Sequence, residues 1–202
     1  MNEHLDALDE YRKTIKHGTA VLHIYPDIGS ENPRDMYDHL GVMLYNSSRY
    51  ILGDEQMDTR EMESIIEDAY ACLPTYAYIH GGVTMNTEAF RSTWDSGQCG
   101  YIYTTLERLT EAGFGSPEHP IPTVETVETW LKQEVAEFDR WLRGEVYGFT
   151  YHEEIRVNPR GEINMVNEDS CWGFSYGDWD EMIFGMLEHI TLNPVLEEWV
   201  RQ

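Results

Sequence analysis

Three groups of residues in this chain are of the right type to do chemistry. Cys171 offers a thiol, His80 an imidazole to take its proton and Asp95 a carboxylate to orient that imidazole. A thiol becomes a strong nucleophile once a neighbouring base removes its proton, so such a set would serve hydrolysis or acyl transfer. Nothing in the spacing brings the three together, and an isolated cysteine commonly packs as a small apolar group. Asp54, His80, Asp95 and Asp169 form a second set, with oxygen and nitrogen donors suited to a divalent cation. In so acidic a chain four such residues can always be chosen, and no metal is expected. The third group is Gly173-Phe174-Ser175-Tyr176-Gly177, which fits the Gly-x-Ser-x-Gly nucleophile elbow. There the acid and the histidine follow the serine, and only 25 residues remain after Gly177. The pattern reads better as a turn that needs glycine. Neither a Gly-x-x-x-x-Gly-Lys loop nor a His-Glu-x-x-His pair occurs, which disfavours P-loop nucleotide hydrolysis and zincin chemistry. No cofactor is expected.

Two of these residues fall in the stretch 76–105, around which the chain is organised. Tyr76-Ala-Tyr-Ile-His80-Gly81-Gly82-Val83-Thr84 precedes Trp94-Asp95-Ser96-Gly97-Gln98-Cys99-Gly100-Tyr101-Ile102-Tyr103. Aromatic and β-branched residues on both sides of a polar, glycine-rich middle predict two strands joined through turns, with His80, Asp95, Ser96 and Gln98 gathered where they meet. The structural duties expected of this block are a turn held by Asp95 and Ser96, a positive φ at Gly97, a strand bridge at Gln98 and a core anchor at Trp94. If the cluster is instead a functional pocket, His80 and Asp95 are its first pair.

Elements on either side must position that stretch. Leu5, Leu8, Tyr11 and Ile15 step at helical intervals and predict a helix over 3–17, stopped by Gly18 and packed on the sheet as a lid. A strand follows over 20–25, with His23 a packed histidine. Pro33 pushes Asn32 out of helical geometry, so 29–35 reads as a loop. Residues 41–52 read as a strand with a bulge, and 58–72 as a helix capped by Asp58 or Thr59 and ended at Leu73-Pro74. The longest helix spans 123–143, with Thr123 as cap and Val124, Val127, Leu131, Val135, Phe138 and Leu142 on its apolar stripe. Glu125, Glu128, Glu134 and Glu137 lie outside that stripe and read as a solvated face, or as a binding face if the acids have a partner. A strand over 145–157, a hairpin turn at 158–161, strands over 162–166 and 170–174 and a helix over 178–189 close the chain. The layout is one α+β domain over 1–202, with a largely antiparallel sheet and three to four packing helices.

Composition narrows the function classes. The 202 residues carry 37 Asp and Glu against 14 Lys and Arg, a net charge of −23, with no acidic tail to account for it. Such a surface repels phosphate backbones and anionic lipids, so no direct contact with nucleic acid or membrane is expected. Basic proteins are the natural partners. Ordinary solubility, a saline cytoplasm and a carboxylate surface that imitates DNA are all consistent with the charge. The N-terminus lacks the features of a secretory signal, and three widely spaced cysteines give neither a disulfide framework nor a Cys-x-x-Cys metal site. A reducing cytoplasm is expected.

Five blocks then occur in a recognisable order. They are Asn32-Pro33-Arg34-Asp35; Leu40-Gly41 with Tyr50 and Leu52-Gly53-Asp54; Trp94-Asp95-Ser96-Gly97-Gln98 with Gly100-Tyr101-Ile102-Tyr103; Gly144-Glu145-Val146-Tyr147-Gly148-Phe149; and Asp169-Ser170-Cys171-Trp172-Gly173-Phe174. Over residues 20–177 this arrangement resembles a family of uncharacterised proteins carried by bacteriophages and mobile elements. The resemblance implies a phage or mobile-element origin and a host-cell cytoplasmic setting. Together with the charge it gives the expected function: a non-enzymatic accessory protein whose acidic surface binds and inhibits a basic, nucleic-acid-handling host defence protein. Glu125, Glu128, Glu134, Glu137, Asp95 and Gln98 are the expected contact residues. An enzyme built around His80, Asp95 and Cys171 and a virion-associated structural protein are the alternatives.

Overall fold

A computed structural model describes residues 13–17, 20–91, 94–157 and 163–190. The class is α+β, with predominantly antiparallel strands divided between two sheets. The chain separates into two compact units, Met1–Ser30 with Gly144–Gln202, and Glu31–Arg143.

The inner unit holds a sheet of order β4-β3-β7-β5-β6, made of β3 (Val42–Tyr45), β4 (Glu55–Gln56), β5 (Ala71–Ile79), β6 (Val83–Asn86) and β7 (Ser96–Thr104). Only the β3–β4 pair is parallel. The central strand, β7, reads Cys99-Gly100-Tyr101-Ile102-Tyr103-Thr104, and its even positions face the core, with Gly100, Ile102 and Thr104 all buried. β3 runs so close to β7 that a Cβ on Gly100 would collide with the Leu44 carbonyl oxygen. Four helices belong to this unit: α1 (Pro33–Met36), α2 (Thr59–Ile66), α3 (Leu106–Glu111) and α4 (Val124–Leu142). Val124, the first member of the predicted stripe of α4, is 42% exposed, but Val127, Leu131, Val135 and Phe138 are at most 1% exposed and pack with Met43, Leu52 and Ile102. Each such side chain contributes about 1.5–3 kcal/mol by leaving water. Thr123 caps α4 by accepting from Thr126 N at 3.3 Å.

The outer unit holds a sheet of order β1-β2-β8-β9, from β1 (Lys13–His17), β2 (Ala20–Pro26), β8 (Tyr147–Val157) and β9 (Ile163–Phe174), all antiparallel. Helix α5 (Trp179–Glu188) packs Met182, Met186 and Leu187 onto Leu22, Ile24, Phe149 and Phe174. Asp178 caps it through Asp180 N and Glu181 N, as its sequence predicts. Trp172 lies across Gly148 so closely that a Cβ there would enter the indole ring.

Four local expectations are corrected. Lys13–His17 is a strand, not the end of a helix: it pairs in register with Ala20–Ile24, and Ile15 packs on the outer core. Residues 3–12 of the expected helix lie outside the described set. Residues 33–36 form a turn of helix because Asn32 accepts from Arg34 N at 3.0 Å and Pro33, lacking an N–H, suits a first helical position. The helix predicted over 58–72 stops at Ile66, and Cys72, Leu73 and Pro74 continue β5. Proline is tolerated there because β6 starts pairing only at Tyr76, leaving one side of β5 without a ladder partner at Pro74. The strand expected over 41–52 is limited to Val42–Tyr45, since Ser47 draws Arg49 N and Tyr50 N into a local turn. The turn expected at 158–161 lies outside the described residues.

Candidate functional site

His80 and Asp95 do meet. They stand just beyond the paired ends of β5 and β7, where Tyr78 faces Ser96 and Ile79 N donates to Asp95 O at 2.8 Å. His80 Nδ1 lies 3.3 Å from Asp95 Oδ2, and the Tyr78 ring stacks on the imidazole at 6.1 Å. The β5–β6 turn takes its positive φ, 75°, at Gly81; Gly97 is an ordinary strand residue of β7. Both side chains are open to water, His80 by 71% and Asp95 by 43%. A pair so exposed is screened by solvent and salt, and its mutual attraction is small.

The third member of the expected set belongs to a different compact unit. Cys171 lies on β9 in the other unit, its thiol directed at the Trp172 carbonyl oxygen at 3.9 Å. The thiols in the same unit as His80 are poor nucleophiles. Burial pushes Cys72 up to about 11, with Glu128 adding to the shift, and burial also raises Cys99. Ser175 stands between β9 and α5, after Gly173 at φ 89°, which fits the turn reading of that block.

The turn around Trp94 departs from expectation. The indole is 95% exposed and does not anchor the loop in the core. What holds the turn is main-chain pairing between β5 and β7, including a bulge at Cys99, which leaves Thr75 opposite Gly100 and Tyr76 opposite Gln98. Gln98 Nε2 reaches only its own strand, at Gly100 O, 3.3 Å away.

The four glutamates of α4 also divide. Glu125 is exposed, and Glu128 and Glu137 are half-buried. Glu134 is not part of a solvated face. It accepts from Leu40 N at 2.9 Å, from Gly41 N at 3.2 Å and from Arg34 Nη1 at 2.8 Å. Arg34 is the centre of the most connected polar group in this unit. Its side chain is 3% exposed, donates from Nε and Nη2 to both oxygens of Asp54, and reaches Gly41 O at 2.7 Å. Burial alone would lower the guanidinium pKa, but the hydrogen bonds and charges of Asp54 and Glu134 outweigh it, and the net shift is upward.

Asp54 is thereby committed to an arginine and to Met43 N at 2.7 Å. Asp169, in the other unit, accepts from Ser170 N at 2.8 Å. Among the described residues no three His, Cys, Asp or Glu side chains gather as a metal ion would require.

Sequence reading missed Arg34, His39 and Arg108. His39 Nε2 lies 2.8 Å from Pro33 O, and Arg108 donates to His39 O at 2.7 Å and Leu40 O at 3.0 Å. Beside them opens a cavity of about 700 Å³ lined by Asp38, His39, Arg108, Glu111, Phe114 and Trp130, among others. Its lining mixes one guanidinium with two carboxylates and selects no single ligand charge.

The stretch 55–68 is rich in exposed acids. Glu55, Asp58, Glu61, Glu63, Glu67 and Asp68 are all exposed, with Arg60 the single cation of the stretch. Asp58 and Glu61 also complete a capping box on α2, a structural duty fulfilled while both remain exposed. No helix among the described residues is long and apolar enough to cross a membrane. Comparison of the chain with protein-family models, with curated proteins and with solved structures finds no match.

Proposed function

We propose that this protein is a non-enzymatic accessory protein of a phage or mobile element, acting in the host cytoplasm by binding a basic, nucleic-acid-handling host defence protein. Its carboxylates occupy sites that ordinarily receive phosphates, in the manner of a DNA mimic. The observation that carries this reading is the net charge of −23 on a folded chain, with the acids of 55–68 exposed and Arg60 the single cation within that stretch. Like charges on one surface raise the potential outside it, which speeds encounter with a basic partner and repels nucleic acid. Of the expected contact residues, Glu125 and Asp95 are exposed and suit this role, while Glu134 belongs to the interior.

The test is a pull-down from host lysate at low salt, with bound proteins eluted by raising the salt. Basic nucleic-acid-binding proteins should be recovered. Recovery of none contradicts the proposal.

One observation favours an enzyme instead, the contact between His80 and Asp95. Against it stands the exposure of both groups.

A further inference from the structure

The outer unit carries a groove whose chemistry fits one kind of occupant. Helix α5 presents Asp180, Phe184 and Glu188 at four-residue steps, so they lie along one stripe. Together with Tyr176, Glu181 and Gly185 they line an open groove of about 460 Å³. Phe184 is 50% exposed and Tyr176 44%, whereas Met182, Met186 and Leu187 of the same helix are buried. Gly185 lets Tyr176 lie along the helix, since a Cβ there would stand 2.9 Å from the phenol oxygen. The floor is therefore apolar and aromatic. Its rim holds three carboxylates, and among the described residues no lysine or arginine lines it.

Two features of α5 are unfavourable for the helix alone. A half-exposed phenylalanine leaves apolar surface in water. Glu188 stands in the last turn, where the helix dipole favours cations, and that turn has no basic residue to offset it. Asp180 and Glu181, in the first turn, need no such explanation.

The aromatic chemistry is already in use at the other end of the helix. The Lys13 ammonium sits 5.1 Å over the Trp179 ring. Cations attach to aromatic faces in this way, and arginine does so best because its planar head stacks while its aliphatic stem covers apolar surface. A second copy of this chain would bring its own negative charge to an acidic rim, so charge disfavours self-docking.

We propose that the Tyr176–Phe184–Glu188 groove is the docking site for an arginine-bearing segment of the partner, with the stem laid on Phe184 and Tyr176 and the guanidinium held by Glu188 and Asp180. The inference rests on the acidic-surface reading and adds to it a site in the other unit.

The test uses the full chain and a synthetic peptide alternating arginine and leucine, with a counterpart carrying glutamine in place of arginine. Binding is measured by calorimetry and mapped by amide chemical shifts. The arginine peptide should shift Tyr176, Phe184, Gly185 and Glu188, and the glutamine peptide should not bind. Phe184→Ala should weaken binding about tenfold and Glu188→Gln severalfold, as expected for truncation of a central aromatic contact and loss of one charge partner. Glu88→Gln, an exposed acid of the other unit, should leave it unchanged. If the arginine peptide binds both groove variants as tightly as the wild type, the groove is wrong while the acidic-surface reading stands. If it binds nowhere on the protein, both fail. A wild-type dimer that Phe184→Ala converts to monomer would put a second copy in the groove and overturn the assignment.

Discussion

Arg34 and Asp54, twenty residues apart in sequence, meet in a two-point ion pair, with Nε and Nη2 at 2.9 and 2.5 Å from the two carboxylate oxygens. Glu134 closes the group from α4 at 2.8 Å. The arrangement ties α1, the approach to β3, the turn before β4 and the long helix into one assembly. Arg34→Ala leaves two part-buried carboxylates without their cation, which costs about 1–3 kcal/mol, less than breaking a fully buried pair. Urea denaturation should show a loss in this range. Arg34→Lys should recover only part of it, because an ammonium cannot span both oxygens of Asp54. Equal stability of wild type and Arg34→Ala would remove the network from the account of this fold.

The closeness of β3 to β7 depends on a missing side chain. Gly100→Ala drives a methyl into the Leu44 carbonyl and should cost about 1–3 kcal/mol, typical of overpacking. Gly97→Ala, with nothing within 4 Å of its would-be Cβ, should change stability by less than about 1 kcal/mol. Thermal denaturation of the two variants side by side checks the contrast.

Cys72 makes stability depend on alkaline pH. Its thiol titrates near 9.0 when unfolded and is pushed up to about 11 in the folded protein. Below pH 9.0 both states keep the proton, and this stabilising difference is fully present. Between pH 9.0 and about 11 the unfolded chain releases the proton first, so stability falls as pH rises. Cys99 and Tyr103 are also raised by burial and act in the same direction. The difference between wild type and Cys72→Ala isolates one thiol: the variant should lose less stability across that window. Parallel pH profiles would contradict the burial argument.

His80→Ala and Asp95→Ala should each shift stability by less than about 1 kcal/mol, because both groups are open to solvent. If His80→Ala abolishes the proposed inhibition while the melting temperature holds, the enzyme reading gains over the binding one, whereas a loss in Asp95→Ala alone fits the contact role proposed for that carboxylate.

The elements that were legible in the sequence are those whose signals are local. The stripe of α4, its Thr123 cap and the Asp178 cap of α5 follow from side-chain periodicity and hydrogen bonding within a few residues. Lys13–His17 was misread because Ile15 fits a helical spacing as well as a strand, and only pairing with β2 decides between them. Pro74 looked like a helix stop, yet its tolerance in β5 depends on where β6 begins. Contact between His80 and Asp95 was foreseeable from strands flanking a turn. The inward turn of Glu134 was not, since its partner Arg34 lies 100 residues away. Trp94 shows the limit of composition: an indole beside strands suggested an anchor, and it is almost wholly exposed.

The acidic surface is tested most directly by the affinity of the recovered partner as a function of salt. If carboxylates stand in for phosphates, the dissociation constant should rise steeply, by about tenfold or more over a fourfold increase from low to physiological ionic strength. A dissociation constant that stays flat across that range would contradict the central claim, because the contact would then owe little to the charge of this protein.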